Sequence, residues 1–243
     1  MAITAPAALL KPAKLNGFLA ALPLQDYDLL APTLRTISLR CGVVLHNPDD
    51  PIEHVYFPHQ GMVSIVAPMK TGAVAEIALL GRNSIVCANA ALGSRVAVGR
   101  AVVQLPLTAA GLPVAQFQDA VKQSSAVQEL AIRYNDLLMT QVQQSAACNA
   151  LHTLEQRLCR WLLEAYDCWD EDSLPLTQEF LGQMLGVRRT SVNVSMHMLQ
   201  VRGAIKCGRG RIRALDRAAL ERSVCECYFT IRECTQKVFP SAE

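Results

Sequence analysis

The chain has 243 residues, 51% of them hydrophobic, and 23 Lys and Arg nearly balance 21 Asp and Glu for a formal net charge of +2. This excludes a disordered polyelectrolyte and leaves room for one large core or two modest ones. Overall charge near neutral says nothing of a polyanionic partner, so only a local concentration of charge can point to one.

No apolar run reaches the roughly 18–20 residues that span a bilayer. The Ala- and Leu-rich start, Met1 to Leu22, is broken by Lys11, Pro12 and Lys14 and lacks the layout of a secretory leader. It reads as a loose tail leading into a short helix, in a protein expected in the cytoplasm. The cysteines number nine. An odd, scattered set is expected to be free thiols rather than a disulfide framework.

Between Ile37 and Leu107 the pattern predicts short strands at Gly42–Leu45, His54–Phe57, Met62–Ala67, Ala73–Leu80 and Ala97–Leu105. Turn signals at residues 47–51, 59–61, 70–72 and 81–83 separate them, which suggests an antiparallel sandwich or barrel. His46, His54 and His59 fall in this region, but without paired acids or thiols they read as surface residues.

From Val114 to Cys148 there is neither Gly nor Pro. Val127, Leu130, Ala131, Tyr134, Leu137, Leu138 and Val142 recur at helical spacing, predicting a helix from about Ser125 to Ala147. Its stripe either packs on the chain's own sheet or pairs with a twin; the motif that follows favours the twin. A second helix is expected from Leu151 to Tyr166, ended by the acidic stretch Asp167 to Ser173. These boundaries divide the chain into a unit at 15–147, with its long helix at about 125–147, and a unit at 148–236.

The segment Leu176 to Leu199 carries the functional signal. Thr177 can cap a helix whose inner face is Phe180, Leu181, Met184 and Leu185. Gly186 stops it, since glycine reaches left-handed dihedrals without steric cost. A second helix, Arg188 to Arg202, turns Val192, Met196 and Leu199 inward. Two short helices joined by a tight Gly turn form a helix-turn-helix, whose second helix presents its N-terminal residues to the major groove. Those residues are Arg188, Arg189, Thr190, Ser191 and Asn193; Arg can bind a guanine edge bidentately and Asn an adenine edge. Residues Ala204 to Leu215 read as a hairpin wing with Arg209 at its tip and Lys206, Arg211 and Arg213 beside it. From Val187 to Arg217 there are eight basic residues and one acid, Asp216. Such a concentration suits phosphate neutralisation with counterion release.

The order of these elements resembles the Crp/Fnr family of bacterial transcription regulators. Leu176 to Leu215 carries the resemblance most strongly, helped by Leu154-Glu-Gln-Arg-Leu-Cys-Arg-Trp-Leu-Leu163 and more weakly by Val55-Tyr-Phe-Pro and Gly61-Met-Val-Ser. The resemblance implies an α+β fold: an N-terminal antiparallel β-roll (a cyclic-nucleotide-binding-like jelly roll), a long dimerisation helix and a C-terminal winged helix-turn-helix. It further implies a homodimer acting on double-stranded DNA with RNA polymerase as a partner. The nucleotide-binding members carry a Gly-Glu pair and then Arg-Ser or Arg-Thr. Here Ala88-Asn89 stands at the first and Arg95-Val96 at the second, so no cyclic nucleotide is expected. The first cysteine is Cys41, so the N-terminal iron–sulfur cluster of the oxygen sensors is not expected either. Thr190 and Val194 stand where related recognition helices carry Glu and Arg, so the operator is expected to differ from the familiar one.

Cys225, Cys227 and Cys234 match neither a paired zinc motif nor a redox Cys-x-x-Cys. They read as packing thiols, with redox or metal sensing alongside Cys207 as the other possibility; no cofactor or metal ligand is assigned. No nucleophile elbow or phosphate-cradling loop is present, so an enzyme is not expected. The competing function is a small-molecule or redox sensor whose winged helix contacts another protein.

Overall fold

The computed structural model describes residues 15–208 and 210–240. The expected tail at 1–14 and the expected wing tip Arg209 lie outside the described residues. Helix α1, Gly17–Ala21, is the short helix expected after the tail. Buried Asn16 caps it: its Oδ1 accepts from the Phe18 and Leu19 amides, while its Nδ2 donates to the carbonyls of Pro58, Arg82 and Ser84 at 2.9–3.0 Å. Helix α2 spans Leu24–Leu30.

The strands are β1 Arg35–Leu39, β2 Val44–His46, β3 His54–Pro68, β4 Val74–Leu80 and β5 Arg100–Pro113. They form one antiparallel sheet in the order β1-β5-β3-β4, with β2 also on β5. Two expected strands, His54–Phe57 and Met62–Ala67, are a single long one. The apparent turn His59-Gln60-Gly61 is an irregularity within it, where the β3–β5 register shifts twice. Gly61 sits at φ +88, and a Cβ there would lie 2.1 Å from the Pro106 carbonyl oxygen. Glycine here therefore serves a bulge rather than a chain reversal. Phe18, Phe57 and Phe117 meet inside the roll with centroids 5.7–6.0 Å apart.

Helix α3, Val114–Gln123, leads into α4, Ser125–Leu151. Ser124 caps α4 by accepting from the Val127 amide and donates to Asp26 at 2.6 Å. The stripe expected to meet a twin is buried within this chain instead: Val127, Leu130, Ala131, Tyr134 and Leu137 are core residues, with Leu138 and Val142 packed against them. Periodicity identified an apolar face but carried no information on what would cover it.

Helix α5, Leu154–Asp167, opens on a capping box between Thr153 and Gln156. There follow β6 Ser173–Leu174, α6 Gln178–Leu185, α7 Arg189–Val201, β7 Ile205–Gly208, β8 Arg211–Ala214, α8 Arg217–Ser223 and α9 Cys227–Val238. A small sheet, β6-β8-β7, forms the base of the wing. The chain then returns on itself: α9 lies along α4, with Phe239 packed against Tyr134 and Arg133 donating to the Lys237 carbonyl at 2.8 Å.

The winged helix is joined to the roll. Met62, Val66, Leu79 and Leu105 of the strands share a core with Leu158, Trp161, Leu162 and Met184. At this junction the carboxylate of Glu76, on β4, accepts from Trp161 Nε1 at 2.9 Å and from the Ser64 hydroxyl. Among the described residues no helix is long and apolar enough to cross a membrane.

Candidate nucleic-acid interface

Helices α6 and α7 form the helix-turn-helix. The Thr177 hydroxyl accepts from the Phe180 amide at 3.2 Å and starts α6; Gly186, at φ 65 and ψ 34, ends it. The Val187 amide donates back to the Gly182 carbonyl at 2.9 Å, which closes the turn. Arg157 on α5 donates to the Leu185 carbonyl at 2.6 Å, satisfying a helix-end acceptor that would otherwise be orphaned. Val192, Met196 and Leu199 hold α7 against the core. Its opposite face is open: Arg188, Arg189, Thr190, Ser191 and Asn193 are all exposed around its N-terminus, and Val194 is 67% exposed.

The wing is fixed from beneath. The Tyr166 hydroxyl donates to the Ile212 carbonyl at 2.8 Å and accepts from the Ala214 amide at 2.7 Å. A cleft of about 610 Å³ between the helix-turn-helix and the wing brings Thr177, Arg189, Gly208 and Arg211 together. Lys206 is exposed on the neighbouring strand.

The basic cluster is less free than its sequence count suggests. The acidic stretch after α5 folds against the wing: Arg211 pairs with Glu171 at 2.9 Å and Arg213 with Asp172 at 3.3 Å. Arg217 pairs with Asp167 and Glu221, and Arg202 with Glu155. Four of the seven described basic residues between 187 and 217 are thus answered by carboxylates of the same chain. Arg188, Arg189 and Lys206 form none of the ion pairs found among the described residues; the two arginines stand at the N-terminal end of α7 and Lys206 on the first strand of the wing.

The nucleotide-cassette positions are occupied by other contacts. Ala88 and Asn89 open a short 3-10 turn at Ala88–Leu92, with Ala88 and Ala90 buried. Arg95 donates through Nε to Gln118 Oε1 at 3.1 Å, and Gln118 in turn donates to the Ala90 carbonyl at 2.6 Å. The three histidines do not converge: His46 Nδ1 lies 3.0 Å from the Gly99 carbonyl oxygen and His54 stacks on Tyr56.

The cysteines depart from their sequence reading. Cys234 packs against the roll core and Cys207 sits half-buried in β7, its thiol pushed up by burial. Cys225 and Cys227, however, meet Cys148 from the end of α4 and His152 just after it. Reading them as packing thiols with no metal ligand therefore missed a convergence of four donor groups. Their separation along the chain, 77 residues between Cys148 and Cys225, leaves no local motif to find.

Residues 156–223 match the model of the Crp-like helix-turn-helix domain, and residues 36–124 that of the cyclic nucleotide-binding domain. No curated protein sequence is significantly similar to the chain. Among solved structures, FixK2 from Bradyrhizobium japonicum superimposes with a TM-score of 0.67 at 15% identity, over 79% of this chain and 98% of its own. A transcriptional regulator of the Crp/Fnr family from Eubacterium rectale gives 0.65 at 18%, over 84% and 95%. A CRP-family transcriptional regulator from Thermus thermophilus gives 0.64 at 19%, over 77% and 95%.

Proposed function

As the chain belongs to the Crp/Fnr family of transcription regulators, we propose that it is a homodimeric, sequence-specific DNA-binding regulator whose α7 reads a palindromic operator. The observation that carries this reading is the open N-terminal end of α7, where Arg188, Arg189, Thr190, Ser191 and Asn193 stand exposed and no carboxylate among the described residues pairs with the two arginines. Arg189, Thr190 and Asn193 are the base-reading candidates. Thr177, Arg188, Ser191, Lys206, Arg209 and Arg211 are the phosphate-side candidates. The roll with its long helix, 15–147, and the winged unit, 148–236, are taken as the two functional parts.

A twin is placed on the face of α4 that the core does not cover. Ile132 is 44% and Met139 57% exposed, and Gln143, Ala146 and Ala150 continue that line at alternating spacings of four and three. Pairing there sets two recognition helices about one helical turn, ~34 Å, apart along a duplex. Contact with RNA polymerase and a cytoplasmic location belong to the same reading.

Sites selected from random DNA supply the operator for the test. Arg189→Ala is expected to weaken binding to that site by about 1–3 kcal/mol and to relax one base position. Lys206→Ala is expected to weaken all sequences alike and reduce the salt slope by about one. Undiminished sequence preference in Arg189→Ala would remove α7 from the role given to it. The ligand side is checked by titrating the protein with cyclic AMP in a calorimeter. No saturable heat is expected, because the cassette positions hold Ala88-Asn89 and an Arg95 engaged by Gln118.

A further inference from the structure

Cys148, His152, Cys225 and Cys227 form a compact group with all ligand atoms within 4.8 Å of one another. The three cysteines are at most 2% exposed, and the His152 side chain is largely covered. Cys148 Sγ lies 3.6 Å from Cys225 Sγ, and Cys227 Sγ lies 3.4 Å from His152 Nδ1. Zinc binds thiolate at about 2.3 Å and imidazole at about 2.0–2.1 Å, so a regular tetrahedron has sulfur–sulfur edges of ~3.8 Å and sulfur–nitrogen edges of ~3.6 Å. The group therefore has the dimensions of a tetrahedral shell around one ion. An iron–sulfur cluster would spread its thiolates over separate irons and hold some of them farther apart than this.

The surroundings have the same character. His152 presents Nδ1 to the sulfurs, and its Nε2 lies 3.3 Å from Glu226 Oε1. A carboxylate on the far nitrogen fixes the tautomer of a metal-bound imidazole and raises its basicity. Gln144 donates to Cys227 Sγ at 3.1 Å. One Zn²⁺ with three thiolates and a neutral imidazole carries a net charge of −1, and the guanidiniums of Arg157 and Arg160 act electrostatically on Cys148. Cys41, Cys87 and Cys159 join no such set among the described residues.

We propose that these four side chains are a closed zinc site. On binding, three thiols give up their protons to the buffer and four protein ligands fill the coordination sphere, leaving no position for substrate. The ligands come from the last turn of α4, the residue that follows it, the link between α8 and α9, and the first residue of α9. One ion thus fastens the C-terminal helix to the hinge between the long helix and the winged unit. Its effect on operator affinity rests on the DNA-binding reading; the site itself does not.

The test uses reduced full-length protein, stripped by a chelator and titrated with Co²⁺. Saturation is expected at one equivalent per chain, with the visible bands of tetrahedral cobalt and a near-ultraviolet thiolate-to-cobalt band, both bleached by Zn²⁺. Cys227→Ser should diminish the thiolate band, and Cys234→Ser should leave the spectrum unchanged. Glu226→Gln, which keeps an acceptor for His152 Nε2 but removes the negative charge beside it, should weaken zinc binding by roughly 10-fold. The proposal fails if reduced protein with an intact circular dichroism spectrum shows no tetrahedral cobalt bands. It fails equally if the protein carries a Cys148–Cys225 disulfide as its resident state. Loss of DNA binding with a normal cobalt spectrum would count against the operator reading and leave the metal site standing.

Discussion

Trp161→Ala is expected to lower stability by about 3–5 kcal/mol, the usual cost of emptying a buried aromatic site. Trp161 is 1% exposed and packs edge-on to Phe180, with centroids 5.7 Å apart at 69°. It lies where strands of the roll and helices of the winged unit share one core, so the loss falls on the joint between them. For a chain of this size the midpoint of thermal unfolding should fall on the order of 10 °C. Trp161→Phe separates two contributions: it restores much of the packing but leaves Glu76 with Ser64 as its remaining side-chain donor. Differential scanning calorimetry of both variants checks this. Near-parental stability in Trp161→Ala would mean that the joint is not held by this contact.

Glu76→Gln should remove a pH dependence that the wild type carries. Burial, opposed by hydrogen bonds from Ser64 and Trp161, pushes the Glu76 carboxyl from 4.5 up to about 7. The folded chain then holds a proton, between those two values, that the unfolded chain has released. The stabilisation is complete below about pH 4.5 and is lost as pH rises through about 7. A displacement of this size corresponds to about 3 kcal/mol at full extent. Glu164, on α5, is likewise raised by burial and is paired with Arg160 at 3.0 Å. Its slope has the same sign, so the comparison must be between variant and parent rather than against a flat line. The variant is expected to match the parent near pH 5 and to exceed it at pH 8 by on the order of 1–3 kcal/mol, read from urea midpoints across that range. Parallel pH profiles for the two proteins would assign the dependence to another group.

The parts of the fold legible in the sequence were those governed by local chemistry. Gly186 announced the turn of the helix-turn-helix because a left-handed residue is needed there, and Thr177 announced the helix start because its hydroxyl replaces a missing acceptor. The open end of α7 followed from the spacing of Val192, Met196 and Leu199. What the sequence did not disclose depended on remote contacts. The stripe on α4 could meet either its own sheet or a twin, and the structure buries it within the chain, against the roll and α9. The bulge at Gly61 looked like a turn because a positive φ serves both. The partners of Arg211 and Arg213 lie about 40 residues earlier in the chain, and the donors that join Cys225 and Cys227 lie farther still.

The acidic strip beside the wing changes how the protein should search a genome. Glu171 and Asp172 pair with Arg211 and Arg213, so if the wing meets a duplex as proposed, these carboxylates are a tethered mimic of the polyanion. A phosphate must displace them, and their exposed ion pairs are each worth only about 0–1 kcal/mol, so the substitution is readily reversed. On that reading the penalty falls alike on operator and bulk DNA and leaves discrimination to the N-terminal end of α7. Residence on bulk DNA should then be shortened, and affinity should decline with salt less steeply than the number of wing cations implies, because salt also loosens the mimic.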